Sequence, residues 1–94
     1  MAYAIIHFFP GGTKDQYQAT IAAVHPAKGL PAGQIFHAAG ASADGWTIAA
    51  VHESKASWEA FRAGVLMPRM QAGIQGGFTS PPQETGFEVD HLEP

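Results

Sequence analysis

Imidazole is the side chain whose charge changes between about pH 5 and 8 without any help from its surroundings. This chain carries five histidines and no cysteine. Three of them, His7, His37 and His52, fall in stretches that read as β-strands: YAIIHFF from Tyr3, QIFHAA from Gln34 and WTIAAVHE from Trp46. Successive side chains on a strand point to opposite faces. His7 therefore shares a face with Tyr3, Ile5 and Phe9, and His52 with Trp46, Ile48 and Ala50. If the turn GASADG closes a regular hairpin, His37 stands opposite Ile48 and joins them. A single histidine in an apolar strand is ordinarily a core residue with its hydrogen bonds satisfied. Three on one face, among aromatics, are what a small-ligand pocket is made of. There they can act as general acid or base, and burial holds them neutral, as a base must be. Tyr3 or Tyr17 can donate to an enolate or phenolate oxygen.

The two other histidines read differently. His25 precedes Pro26 at a helix end, where a protonated ring meets the negative end of the helix dipole. His91 lies among Glu88, Asp90 and Glu93, as an exposed or subunit-contact residue. A metal held by His7, His37 and His52 is not expected, because His52 falls at the far end of its strand from the other two, and zinc or copper ligands must converge. Gly11-Gly12 before Thr13 reads as a turn and helix cap rather than a dinucleotide fingerprint, so no cofactor is expected either.

The elements that position these groups follow from the pattern. Residues 2–9 are strand-like and end at Pro10-Gly11-Gly12. Thr13 and Gln16 have capping-box spacing, and Tyr17, Ile21 and Val24 then share a helix face until His25-Pro26. Residues 26–33 connect to strands at 34–39 and 46–53. Ser54 caps a second helix with Trp58, Phe61 and Val65 on one face. Pro68 kinks or restarts it, and Met70 and Ile74 continue it to Gly76-Gly77. The Gly/Pro-rich stretch GIQGGFTSPPQE, residues 73–84, precedes a last strand at 86–93, and three readings of it stand open: a lid, a reach to a partner subunit or a plain connector. This order, βαββαβ, predicts one ferredoxin-like domain over 1–94: a four-stranded antiparallel sheet, order 4-1-3-2, with both helices on one face. His7 and His37 then fall toward one end of the helix-side face, Tyr3 and His52 toward the other.

Composition narrows the function classes. Five basic residues stand against eight acidic ones, net charge −3, which excludes the basic stripe of a nucleic-acid surface. No apolar run approaches the roughly 20 residues of a membrane helix, and no signal-peptide pattern opens the chain, so a soluble cytoplasmic protein is expected. The first and third strands are apolar on both faces, whereas a half-exposed sheet alternates apolar and polar. Charged residues are 14% of the chain, against about 25% in typical domains. A homodimer packed through its sheet faces is the economical cover for the bare side.

Three stretches carry a family resemblance: FFPGG before a capped helix, HESKASWEAF running from third strand into helix, and a short last strand. Together they resemble the dimeric α/β-barrel superfamily, including the antibiotic-biosynthesis-monooxygenase-like and olivetolic-acid-cyclase-like small proteins. The resemblance implies a dimeric α/β barrel with a pocket between helices and sheet in each subunit. It implies a ligand contact set of Phe9, Tyr17, Trp46, Ile48, Trp58, Phe61 and Met67, with Met70 as the alternative to Met67. His7, His37, His52 and Tyr3 are the candidates for chemistry. The superfamily supports many reactions, so fold alone does not choose one. The leading expectation is a cofactor-independent enzyme, monooxygenase-like or cyclase/isomerase-like, acting on a small apolar or aromatic compound. The alternative is a non-catalytic ligand-binding or stress-related homodimer.

Overall fold

The structure, a computed structural model, describes residues 1–93. β1 (Tyr3–Pro10) leads into α1 (Lys14–Val24), then the hairpin β2 (Gln34–Ser42) and β3 (Gly45–His52). One continuous helical run follows: α2 (Lys55–Phe61), a π-helical segment (Arg62–Leu66) and α3 (Met67–Ala72). β4 (Gln83–Glu88) closes the chain. The sheet order is β2-β3-β1-β4 and every pairing is antiparallel, the ferredoxin-like arrangement expected from the sequence. β1 lies centrally, with Tyr3 opposite His52, His7 opposite Ile48 and Phe9 opposite Trp46.

Helix α1 starts where its capping box predicts. Thr13 Oγ1 accepts from Gln16 N at 3.2 Å, and Gln16 Oε1 accepts from Thr13 N at 3.0 Å. Pro26 ends it by forcing His25 into an extended conformation. On its inner side, Thr20 is buried and receives the Phe78 N–H at 3.4 Å, tying the helix to the loop before β4. Phe78 in turn stacks on Phe9 with ring centroids 3.7 Å apart. Phe9, Trp46 and Ile48 form a buried core cluster, with Tyr17, Met70 and Phe78 packed around them.

The structure moves several boundaries. The hairpin is tighter than GASADG implied: Ser42 pairs with Gly45 across a two-residue turn, with Asp44 in the left-handed region at φ 65°. His37 therefore stands opposite Ala50 rather than Ile48, two residues along the same face. The second helix stops at Gly73, whose φ of 88° suits glycine, not at Gly76-Gly77. β4 begins at Gln83, directly after Pro81-Pro82, and ends at Glu88, earlier than the expected 86–93. Pro68 stands in the first turn of α3, where the α-helix resumes after the π segment, as expected of a restart. It lacks an amide hydrogen, and the helix widens ahead of it by one turn, with Met67 N–H bonding back to Arg62 O.

The helices cover one sheet face. On the other, Phe36 and Phe87 are about half exposed, and Ile6 and Phe8 are partly so. Among the described residues, no helix is long and apolar enough to cross a membrane.

Candidate functional site

A cavity of ≈340 Å³ lies between the helices and the sheet. Its floor is Ile5, His7 and Phe9 of β1 with Ile48 and Ala50 of β3. Ile21 and Val24 of α1, with His25 at its C-terminal cap, form one wall, and Trp58, Phe61, Arg62, Leu66, Met67 and Met70 of the second helical run form the other. Pro81 and Pro82, near the end of the proline-rich loop, also line it. The size is in the range of small-molecule sites, and so is the mix of hydrocarbon walls with few polar groups.

Those polar groups gather in two places. The first is built on a cross-strand pair: His7 of β1 stands opposite Glu84 of β4. His7 Nε2 and Glu84 Oε2 are 2.9 Å apart. Arg62 approaches the same carboxylate oxygen, with Nε at 3.8 Å. Trp58 lies over His7 at a ring distance of 5.6 Å. With Nε2–H donated to the carboxylate, the Nδ1 lone pair of His7 is left for other work. That is the arrangement by which a carboxylate orients an imidazole base.

The second group is a chain of hydrogen bonds. Tyr17 Oη lies 2.6 Å from His37 Nε2, and His37 Nδ1 lies 2.9 Å from Gln34 Oε1. Gln34 Nε2 lies 3.2 Å from His52 Nε2, and His52 Nδ1 lies 3.2 Å from Ser57 Oγ. His37, Gln34 and the neighbouring His25 line the cavity. The rings of His25 and His37 are 4.9 Å apart. Burial lowers the pKa of His37. It also lowers that of His52, with Glu53 opposing the shift. His25 is pushed down to about 4 by burial and then by His37. It occupies the helix-end position expected of it, but as a neutral ring rather than a charge on the dipole. Burial raises the Tyr17 hydroxyl.

Of the residues anticipated from the sequence, His7, His37, Phe9, Ile48, Trp58, Phe61, Met67 and Met70 line the cavity. Four do not. His52 shares the face but is fully buried behind Gln34 and Trp58. Trp46, in the same core cluster as Phe9 and Ile48, packs toward Tyr17 with its ring 5.2 Å away and does not line the cavity. Tyr17 reaches the site only through His37. Tyr3 leans the other way, its ring against Gly86 of β4 and beneath Lys55 Nζ at 5.8 Å. His37 is not grouped with His7 but joined through Gln34 to His52, because of the shifted hairpin register. His91 is exposed and bonds Glu93 at 2.6 Å. Among the described residues, no three His, Asp or Glu side chains are grouped to hold a metal ion.

Among the cavity residues that sequence reasoning missed are the polar Gln34, Glu84, Arg62 and His25. Gln34 reaches the site because β2 carries a β-bulge: Gln34 pairs with His52 and Phe36 with Val51, leaving Ile35 as the extra residue. The bulge brings Gln34 and His37, three positions apart, to the same face. A trace of it is visible in QIFHAA, where two apolar residues sit side by side between two polar ones.

No family model matches the chain, and no curated protein matches it. Among solved structures, that of Rv0793 from Mycobacterium tuberculosis is similar, with a TM-score of 0.68 over 99% of this chain and 100% of that one, at 18% identity. A likeness at that identity is one of fold, and it agrees with the βαββαβ architecture above.

Proposed function

We propose that the cavity takes a small, mostly apolar or aromatic molecule and that the protein is a cofactor-independent enzyme acting on it by proton transfer. The observation that carries this reading is His7, oriented by Glu84 at 2.9 Å on the floor of an apolar cavity. His7 is the general base or acid. Arg62 takes the role anticipated for a tyrosine, balancing charge that develops on a substrate oxygen, since neither Tyr3 nor Tyr17 lines the cavity. His37 is the second polar contact for the ligand, with His52 behind it. Cyclisation and isomerisation need only these groups. Monooxygenase-like chemistry on an electron-rich phenol needs the same first deprotonation, with dioxygen as oxidant.

The protein is proposed to work as a homodimer, closing a dimeric α/β barrel. The support is the bare sheet face, with Phe36 49% and Phe87 50% exposed. A second reading, a non-catalytic ligand-binding or stress-related dimer, draws on the fact that Tyr17 and His52 use their polar atoms on protein partners. One experiment separates the two. Phenolic and polyketide-like compounds are screened by thermal shift, and the binders are followed for turnover with the parent and with His7→Ala. Turnover lost in the variant, with binding kept, supports the enzyme. Binding without turnover in the parent supports the second reading.

A further inference from the structure

The hydrogen-bond chain from Tyr17 to Ser57 has a direction, and one side chain sets it. Gln34 is 8% exposed and His52 is fully buried, so water does not replace their partners. As it stands between the two rings, the Gln34 amide faces His37 with its oxygen and His52 with its nitrogen. An amide oxygen only accepts, so His37 Nδ1 must carry a proton. A neutral imidazole has one N–H, so His37 Nε2 is an acceptor and receives the Tyr17 hydroxyl. The amide nitrogen only donates, so His52 Nε2 is an acceptor and its Nδ1–H points to Ser57 Oγ. Each group donates to the next, from Tyr17 through His37, Gln34 and His52 to Ser57.

We infer that Gln34 is a positioning residue, holding His37 in the Nδ1–H tautomer so that the cavity meets it as a neutral hydrogen-bond acceptor at Nε2. The amide is suited to this as a carboxylate would not be. A carboxylate accepts on both sides, which would reverse His52 and favour a charge on both rings. The inference rests on the functional reading in one respect, that the ligand meets His37. It then adds to the substrate class: the ligand end near His37 carries a hydroxyl donor, such as a phenol or enol, that takes the single Nε2 lone pair in place of the Tyr17 hydroxyl. The two ends of the cavity differ in kind. One offers His7 with a carboxylate and a guanidinium, and the other offers uncharged acceptors.

The test reads tautomers directly, by long-range proton–nitrogen correlation spectra of the full-length protein at pH 7.5. The titratable groups facing His37 are Tyr17 of α1 and His25 at its C-terminal cap. Those near His52 are Tyr3 and Glu53, with Ser57 as its hydrogen-bond partner. In the parent, His37 and His52 are both expected as Nδ1–H. In Gln34→Glu, His52 is expected to change to Nε2–H while His37 keeps Nδ1–H, and both rings titrate at higher pH than in the parent. A parent His37 found as Nε2–H overturns the inference. So does an unchanged His52 tautomer in a folded Gln34→Glu variant, and the parent spectrum alone decides if that variant does not fold. No ligand is needed. Tautomers as expected, with no compound binding in the screen, remove the functional reading and leave the role of Gln34 standing.

Discussion

His7 and Glu84 are 77 positions apart in the chain and 2.9 Å apart in the fold, directly opposite on neighbouring strands. Glu84 is partly open to solvent and also faces Arg62, so its pairing adds little to stability. What it does is orient a ring. Glu84→Gln is expected to change unfolding free energy by less than about 1 kcal/mol, while lowering turnover of any substrate found by about 100-fold or more. Equal losses in stability and turnover would contradict a role confined to orientation.

Acid should destabilise the protein through its inner histidines. His25 falls from 6.5 to about 4 on folding, and His37 and His52 shift in the same direction. The unfolded chain therefore binds more protons than the fold below about pH 6.5, and stability is lost as pH falls. The urea midpoint should be highest above neutrality and decline until about pH 4, where His25 takes up a proton in the fold as well. His25→Asn should make that decline shallower. A midpoint that rises from pH 7 to pH 5 would contradict the shifts.

Gly33 guards the far end of the hydrogen-bond chain. Its φ is +82°, and a Cβ there would collide with Ser57 Oγ, the group that receives His52. Gly33→Ala is expected to cost more than about 1 kcal/mol in denaturant unfolding, from backbone strain and the displaced serine. Gly29→Ala is the control: its φ is also positive, at +77°, but a Cβ there meets nothing within 4 Å. Equal costs at the two positions would mean that strain alone decides.

The bare sheet face makes a prediction about assembly. Phe36→Asp combined with Phe87→Asp places two charges where a partner is proposed to pack. Light scattering is expected to show a dimer for the parent and the 9.9 kDa monomer for the double variant. A monomeric parent at micromolar concentration would remove the dimer.

The broad plan of the fold is legible in the sequence because its signals are local and periodic. The capping box at Thr13 and Gln16, the stop at Pro26 and the alternation through β1 each specify one element, and their order specifies the sheet. The site was legible only where that periodicity holds. His7 follows from parity alone. Gln34 does not, because the bulge at Ile35 breaks the period that parity depends on. Glu84 sits on an edge strand with every residue exposed, so it carries no burial pattern to read. Tyr3 and Tyr17 show a different limit. Parity fixes which face a side chain leaves from, while the direction of a long aromatic ring depends on neighbours such as Gly86 and His37.

The widened turn at Arg62–Leu66 has a consequence for how this helix tolerates length changes. A π turn holds one residue more than the α-helix it interrupts. Arg62, Leu66 and Met67 face the cavity, while Val65 lies in an outer groove with Ala60 and Arg69. Deleting a single residue from this segment would let the turn close into regular α-helix, with everything after it keeping its orientation relative to Trp58 and Phe61. Met67 and Met70 would stay on the cavity. Forcing the same residues into a regular α-helix would instead turn the downstream half of the wall by about 100°. The widened turn therefore absorbs one residue of chain length, and it is the turn, more than the identity of any one side chain, that keeps the two halves of the wall in phase.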